Sequence, residues 1–438
     1  MNTTTDRVCV VGAGPTGLAV CKTLKEAGVA FDCFDAGRSV GGVWDVEGGY
    51  GGGYRSLQTN TSIEKMAFSD FPFPDDSPMF VHHSQLLEYF NAYADHFALR
   101  GDIHLGVRVV DATPTEDDQW QVTLESGETK TYAAFVVCSG QYGTNRWPKP
   151  HPEGSFAGEQ IHASDYLDPT TPVECRGKRV VVVGLGSSAA EIATELAGGE
   201  DSDTIASHVI LSARSGRYIV PKIYNGKPLD SNSPHPGAHI PAAMRLVPEA
   251  ARLRVVRAVM AKAFERIEKD VGGPATWNLP KPSFPVWEDR PTISEFFIPA
   301  LEEKRIEPRP GIAKFDGNTV HFTDGSSSEA DVVIYATGYQ LSFPFLKDEV
   351  LGGDAGEIEL YQRIAHPEQH GLYFIGFTRV LCSLWPVSEL QAKWLAQVLT
   401  GDIVLPNVAK QRKRAIQVAK TDPVFCNFHV LDLRADEA

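Results

Sequence analysis

The chain is 438 residues long, too long for one ordinary hydrophobic core, and its 42% apolar residues supply material for two or three domains of a soluble globular protein. Forty-one basic against 56 acidic residues give a formal charge of −15, which opposes nonspecific attraction to nucleic acid or anionic lipid and excludes both as expected main partners. No run of eighteen apolar residues occurs and Met1 to Arg7 is polar, so neither a membrane span nor a signal peptide is predicted, and the cytoplasm is the default compartment.

The first element is an apolar strand, Val8 to Val11, that meets the turn Gly12-Ala13-Gly14-Pro15-Thr16-Gly17 and continues as a helix from Leu18 to Ala27. Gly12 permits the sharp turn, Gly14 lets backbone N–H groups approach a pyrophosphate, and Gly17 lets the helix pack closely on the strand, with Pro15 and Thr16 completing the cradle. A second strand, Ala30 to Phe34, ends on Asp35, 23 residues past Gly12. That is where a dinucleotide-binding unit places the carboxylate that accepts hydrogen bonds from a ribose. Seven cysteines without CxxC spacing predict reduced thiols, no metal cluster and no disulfide relay, and Cys9, Cys21 and Cys33 read as packing residues.

Next comes Gly41-Gly42-Val43-Trp44 and a glycine-rich stretch to Gly53, then Tyr54-Arg-Ser-Leu-Gln-Thr59-Asn60-Thr61. Such a segment can lie flat against a planar ligand, the glycines giving close approach and Trp44 an aromatic surface, although a surface loop with a structural tryptophan reads the same way. His83 to Leu99 is predicted as a helix with Leu86, Leu87, Phe90, Tyr93 and Phe97 on one face. Val107 to Val110, Gln121 to Leu124 and Thr129 to Ala133 make a meander, and Phe135 to Gly140 a buried strand ending in glycine.

A second nucleotide unit comes later in the chain: strand Val180 to Val183, then Gly184-Leu-Gly186-Ser187-Ser188-Ala189, then a helix, with alanine in the tolerated third position. After the strand Val209 to Ser212 stand Arg214 and Arg217 where the first unit has an acid. Guanidinium groups there suit a 2′-phosphate and favour NADPH over NADH, unless they are solvated loop charges. Ile312 to Gly338 repeats the meander and the glycine-ended strand, and Gly371 to Gly376 with a helix from about Ser388 to Leu399 returns to the first unit. Within the second unit, Arg252 to Lys269 is a basic amphipathic helix read as a cover of the cleft or a subunit contact, with membrane docking as the alternative. Pro280, Pro282, Pro285 and Pro291 make the segment after that helix a stiff connector.

The expected fold is therefore α/β with two Rossmann-like dinucleotide-binding domains, the NADPH domain inserted into the FAD domain. The first takes residues 1–166 and 339–438, and the second takes 167–338, with a helical and proline-rich insert at about 222–300. An inserted NADPH unit beside another nucleotide unit implies electron transfer from nicotinamide to a second held cofactor, most simply FAD.

Phe156-Ala-Gly158-Glu-Gln-Ile-His162-Ala-Ser-Asp-Tyr166 resembles the FxGxxxHxxx(Y/F) signature of flavin-containing monooxygenases, placed as in that family before the second glycine unit. Ile334-Tyr-Ala-Thr337-Gly338-Tyr339 resembles its ATGY linker, Leu57-Gln-Thr59-Asn60 its SLxTN segment, and Glu389-Leu-Gln391-Ala-Lys-Trp394 its ELQAxW segment. The resemblance spans nearly the whole chain. It implies that NADPH reduces FAD and that dioxygen then forms a C4a-hydroperoxyflavin, which oxygenates an amine nitrogen or thioether sulfur. Asn60 is then the expected hydrogen-bond donor near the ring, and Thr59 and Gln391 belong to the cofactor site. Phe156, Gly158, His162, Tyr166, Thr337 and Gly338 would shape the hinge and NADPH docking, with His162 open between a structural and a catalytic role. A Baeyer–Villiger signature has Trp at the Tyr166 position, and many family members have Lys or Arg where this chain has Leu167. The polar ending Arg434 to Ala438 predicts no hydrophobic anchor of the kind some animal members carry. Ketone oxygenation is the enzymatic alternative, and a nucleotide-binding redox sensor with negligible turnover is the alternative from another class. A homodimer is the commonest assembly for such a chain.

Overall fold

The computed structural model describes residues 6–48, 51–199, 205–232, 247–353, 355, 358–378, 380 and 383–421. Val8–Val11 is buried along its whole length, as a central parallel strand covered on both faces must be. It sits in the middle of a five-stranded, all-parallel sheet ordered Leu372–Phe374, Ala134–Val137, Val8–Val11, Phe31–Asp35, Ile103–Leu105. The helix Pro15–Glu26 opens on proline, whose fixed φ suits a first helical position, and packs its buried face on helix Leu384–Thr400. Helix His83–His96 starts at a reciprocal cap in which the His82 ring accepts from Ser84 N–H while Gln85 accepts from His82 N–H. It stops three residues short of the predicted Leu99, because the chain turns at Phe97 and Ala98 takes a left-handed φ of 52°.

On the other face lies an antiparallel meander, Val109–Pro114, Trp120–Leu124 and Thr129–Tyr132. Its first strand begins two residues later than predicted. Trp120, Tyr132, Phe135 and Phe374 close the core between meander and sheet.

The second sheet is also five-stranded and all parallel, ordered Glu159–His162, Val332–Tyr335, Arg179–Val183, His208–Ser212, Glu307–Arg309. Its meander runs Ser327–Glu329, Thr319–Phe322, Ile312–Gly317, and adds Glu153–Phe156 in parallel. Glu153–Phe156 and Glu159–His162, expected in the first unit, therefore pair with the second, and the expected boundary at 166/167 falls inside it. Neither segment has the apolar run of a core strand. Gly154 enters the ladder with φ +81°, where a Cβ would collide with the Phe315 carbonyl.

The chain crosses between the units twice, and the crossings pair: Thr144–Asn145 runs antiparallel to Tyr339–Gln340. Helix Glu249–Val271 covers the predicted amphipathic stretch and extends it at both ends. Val256, Met260 and Phe264 are half-buried and Ile267 is buried, while Val255 and Val259 stand 60% and 63% exposed. The Leu253 side chain, residues 233–246 of the predicted insert and the polar ending Arg434 to Ala438 lie outside the described residues. Among those described, no helix is long and apolar enough to cross a membrane.

Candidate active site

In the first turn, Gly12 has φ +106° and a Cβ there would lie 2.5 Å from the Cys138 carbonyl oxygen, while one on Gly17 would collide with the Gly12 carbonyl. The strand, the turn and the helix thus touch backbone to backbone, which only glycine allows. Gly14 caps the helix, and a Cβ on Gly42 (φ +58°) would come within 3.2 Å of Gly14 Cα. Val43 backs against Gly52 and Gly53, and Trp44 stands edge-on to Trp385 at 6.0 Å. The first-turn N–H groups have no partner within the helix, and no acid stands in that turn to compete with a phosphate.

Asp35 already has work in the fold: its two oxygens accept the Ala13 N–H at 2.5 Å and the Gly37 N–H at 2.6 Å. Burial pushes its pKa up, and these two N–H groups pull it back. It fastens the glycine turn to the end of the second strand, and a ribose would meet its remaining lone pairs. Thr16 Oγ1 lies 3.1 Å from Ser388 Oγ, and Gln391, fully buried, accepts the Gly376 N–H at 3.0 Å and donates to Thr378 Oγ1 at 3.2 Å. Gln391 thus holds the wall beside Thr16. Thr59 is buried too, its hydroxyl accepting the Val81 N–H at 3.1 Å.

The second turn repeats the first. Gly184 (φ +134°) backs onto the Ala336 carbonyl as Gly12 backs onto Cys138, and Gly186 caps a helix whose first residues, Ser187 and Ser188, are half-exposed. Ala189 in the third position is fully buried, and a Cβ added to Gly184 would lie 3.5 Å from its own. Arg214 is exposed and its guanidinium donates to the Lys149 carbonyl at 3.2 Å. Arg217 is held by Asp289 at 2.8 Å and by the Arg290 carbonyl at 3.2 Å. Gly216 between them is pressed against Pro280 and Lys281. Arg214 is the freer of the pair.

The signature residues lie in the second unit and at the paired crossings that lead to the first. Phe156 packs on Phe315 at 5.2 Å, and a Cβ on Gly158 would collide with the Asp331 carbonyl. His162 is buried between Trp147 and Tyr339, its Nδ1 accepting the Ser164 N–H at 3.1 Å, and burial lowers its pKa. Thr337 donates to the Arg146 carbonyl, and Gly338 (φ +84°) accepts the Arg146 N–H at 2.9 Å. Tyr166 is buried and donates to Glu195 at 2.7 Å. Asn60 donates from Nδ2 to Glu191 at 2.9 Å, and its Oδ1 is buried without a partner. Glu191, Glu195 and Tyr54, which donates to Glu191, line the candidate site beside Asn60 and Tyr166, and the motifs do not reveal them. The available signal was two acids one turn apart on a helix that otherwise buries Ala189, Ala190, Ile192, Ala193 and Leu196.

Two glycine cradles with ligand-ready helix ends, an aromatic glycine-rich segment between them and an orphaned buried amide oxygen fit two dinucleotides. The fold and site define a two-nucleotide flavoprotein oxidoreductase. A family profile described as flavin-binding monooxygenase-like matches residues 5–424. Flavin-containing monooxygenase 3 of Rattus norvegicus is 32% identical over 92% of this chain and 75% of its own length. In fold, the chain is similar to S-allyl-L-cysteine S-oxygenase from Allium sativum (TM-score 0.67, 21% identity, 100% of this chain and 89% of that one). It is likewise similar to cyclohexanone monooxygenase in an open crystal structure (TM-score 0.72, 20% identity, 99% and 97%). The chain belongs to the flavin-binding monooxygenase-like family and is an FAD- and NADPH-dependent monooxygenase.

Proposed function

We propose that this enzyme oxygenates soft nucleophiles, an amine nitrogen or a thioether sulfur, with FAD in the first cradle, NADPH in the second and Asn60 beside the reacting face of the flavin. NADPH supplies the hydride, and reduced flavin with O2 supplies the oxygen donor, so no protein acid, base or nucleophile is demanded. The chain's part is to bind, orient and exclude water. Gly12, Gly14 and Gly17 bring backbone N–H groups to the FAD pyrophosphate, Gly184 to Ala189 do the same for NADPH, and Arg214 takes the 2′-phosphate.

The observation that carries this reading is the Asn60–Glu191 hydrogen bond, which ties the segment after the first cradle to the helix that opens the second cradle. The test is rapid mixing of enzyme, reduced anaerobically by NADPH, with oxygenated buffer while the flavin spectrum is followed. A long-lived species that decays faster when a thioether or amine is added supports the proposal. Immediate return to oxidised flavin with stoichiometric hydrogen peroxide overturns it. Tyr166, seated against Glu195, favours this reading over ketone oxygenation, whose signature has tryptophan there; ester product from a ketone panel, with no sulfoxide from thioethers, would reverse that preference. The buried free thiols Cys9, Cys21, Cys33, Cys138 and Cys175 suit a reducing cytoplasm. A homodimer built on the exposed Val255 and Val259 is the assembly to test by light scattering.

A further inference from the structure

The helix that opens the second cradle carries two carboxylates that neither nucleotide requires. Glu191 and Glu195 stand one turn apart on Ser187–Leu196, a spacing at which like charges repel, and burial pushes both pKa values up. Packing alone would not place them there. Each is met by a tyrosine hydroxyl, Tyr54 on Glu191 and Tyr166 on Glu195, and the two rings stand edge to face at 6.4 Å.

Glu191 uses its two oxygens separately: Oε2 accepts from Tyr54, and Oε1 accepts from Asn60 Nδ2 at 2.9 Å. Burial raises the Glu191 pKa, and the charge of Lys222, itself only 6% exposed, and the two hydrogen bonds act against that rise. With Tyr54 and Asn60 both donating to it, Glu191 serves as an acceptor at both oxygens. The Asn60 amide therefore has one permitted orientation, nitrogen toward Glu191, and the amide atom left buried without a partner is its oxygen.

We propose that Glu191 is a positioning residue: it turns the Asn60 amide so that the carbonyl oxygen is the group left free, and through it the second unit's opening helix sets the hydrogen-bond polarity at the flavin site of the first. This rests on the reading that Asn60 faces the flavin. A free carbonyl oxygen favours a group that carries a proton over its conjugate base, and a proton-bearing oxygen donor is the form that soft nucleophiles attack. Asn60 acts on this account as an acceptor, not as the donor expected from the sequence.

Glu191→Gln keeps the volume but can donate as well as accept, which frees the Asn60 amide to turn over. The holoenzyme carrying Glu191→Gln, Asn60→Ala or both is compared with wild type. The readouts are the visible spectrum of bound oxidised flavin, the NADPH dissociation constant, hydrogen peroxide formed per NADPH, and melting temperature. Glu191→Gln is expected to shift the spectrum in the same direction as Asn60→Ala and to raise peroxide yield about ten-fold, the size of one lost hydrogen bond. The NADPH dissociation constant is expected to stay within about two-fold, because Glu191 lies beyond the helix's first turn. The double variant is expected to match Asn60→Ala, since nothing is left to orient.

A wild-type spectrum and peroxide yield in Glu191→Gln, beside an altered Asn60→Ala, would overturn the proposal, as would strictly additive effects. If Asn60→Ala is itself unchanged, the reading of Asn60 falls and the proposal with it, an outcome the single variant identifies. Should Glu191→Gln fail to retain FAD, Glu191→Ala removes the acceptor that orients Asn60 and is expected to shift the spectrum the same way; no shift there overturns the proposal.

Discussion

Gly17 and Ala189 hold the same place in two copies of one turn, yet the two turns differ in how tightly helix and strand approach. A Cβ on Gly17 would collide with the Gly12 carbonyl, whereas Ala189 carries a Cβ, fully buried, at the same place in the second turn. Gly17→Ala is expected to force the backbone apart at a cost of roughly 3 kcal/mol or more, seen as lost flavin content and a lower melting temperature, while Ala189→Gly costs about 1 kcal/mol of helix propensity. Equal losses would show that the close approach does not matter. At the second cradle, Arg214→Ala is expected to raise the KM for NADPH by roughly ten-fold or more, the worth of a charge-assisted phosphate contact, and to leave NADH unchanged. Arg217→Ala is expected to do less, because Asp289 already occupies that guanidinium; the reverse order would move the phosphate site. The glycines were legible because a tight turn is a local demand. Glu191 was not, because its partners lie 131 and 137 residues away and nothing near it in the chain announces them.

Elements with strong local signals, such as Val8–Val11 and Val180 to Val183, could be read directly, since a buried parallel strand needs a continuous apolar run. Glu153–Phe156 and Glu159–His162 could not. They are edge strands, five of their eight residues exposed, and they owe their conformation to partners contributed by residues 312–335. Just before one of those partners stands Asp331, whose carboxylate accepts from Arg179 Nη2 at 2.7 Å and from the Arg179 N–H at 2.9 Å, joining the starts of Val332–Tyr335 and Arg179–Val183. The guanidinium lowers the Asp331 pKa from an ordinary 3.8 to about 2. A depressed folded pKa means stability that is complete above about pH 4 and is lost as pH falls toward 2. The pair is partly exposed, so solvent screening keeps its contribution small. Asp331→Asn is expected to melt below wild type at neutral pH and to converge with it as the pH falls toward 2; a gap that persists at low pH would assign the effect to packing instead.

For the whole molecule, the two units are joined by more than their linkers. Tyr54 and Asn60 reach Glu191, Arg55 pairs with Asp168, and the Ser62 N–H donates to Asp230 at 2.8 Å. A ligand of one unit should therefore protect the other. NADP+ at a hundred times its dissociation constant stabilises the native state by about 2.7 kcal/mol, and is expected to raise the temperature at which FAD fluorescence appears on heating; release at an unchanged temperature would mean that the units melt independently. The paired crossings, Thr144–Asn145 and Tyr339–Gln340, also bear on how such a chain can be rebuilt. Because they are neighbours in one ribbon, the entry and exit of the second unit stand about 5 Å apart, so the parent sheet would tolerate a tight hairpin in its place. The second unit is in that sense a cassette, exchangeable with its counterpart from a relative at a single seam, with Glu191 as the tooth that a replacement must reproduce.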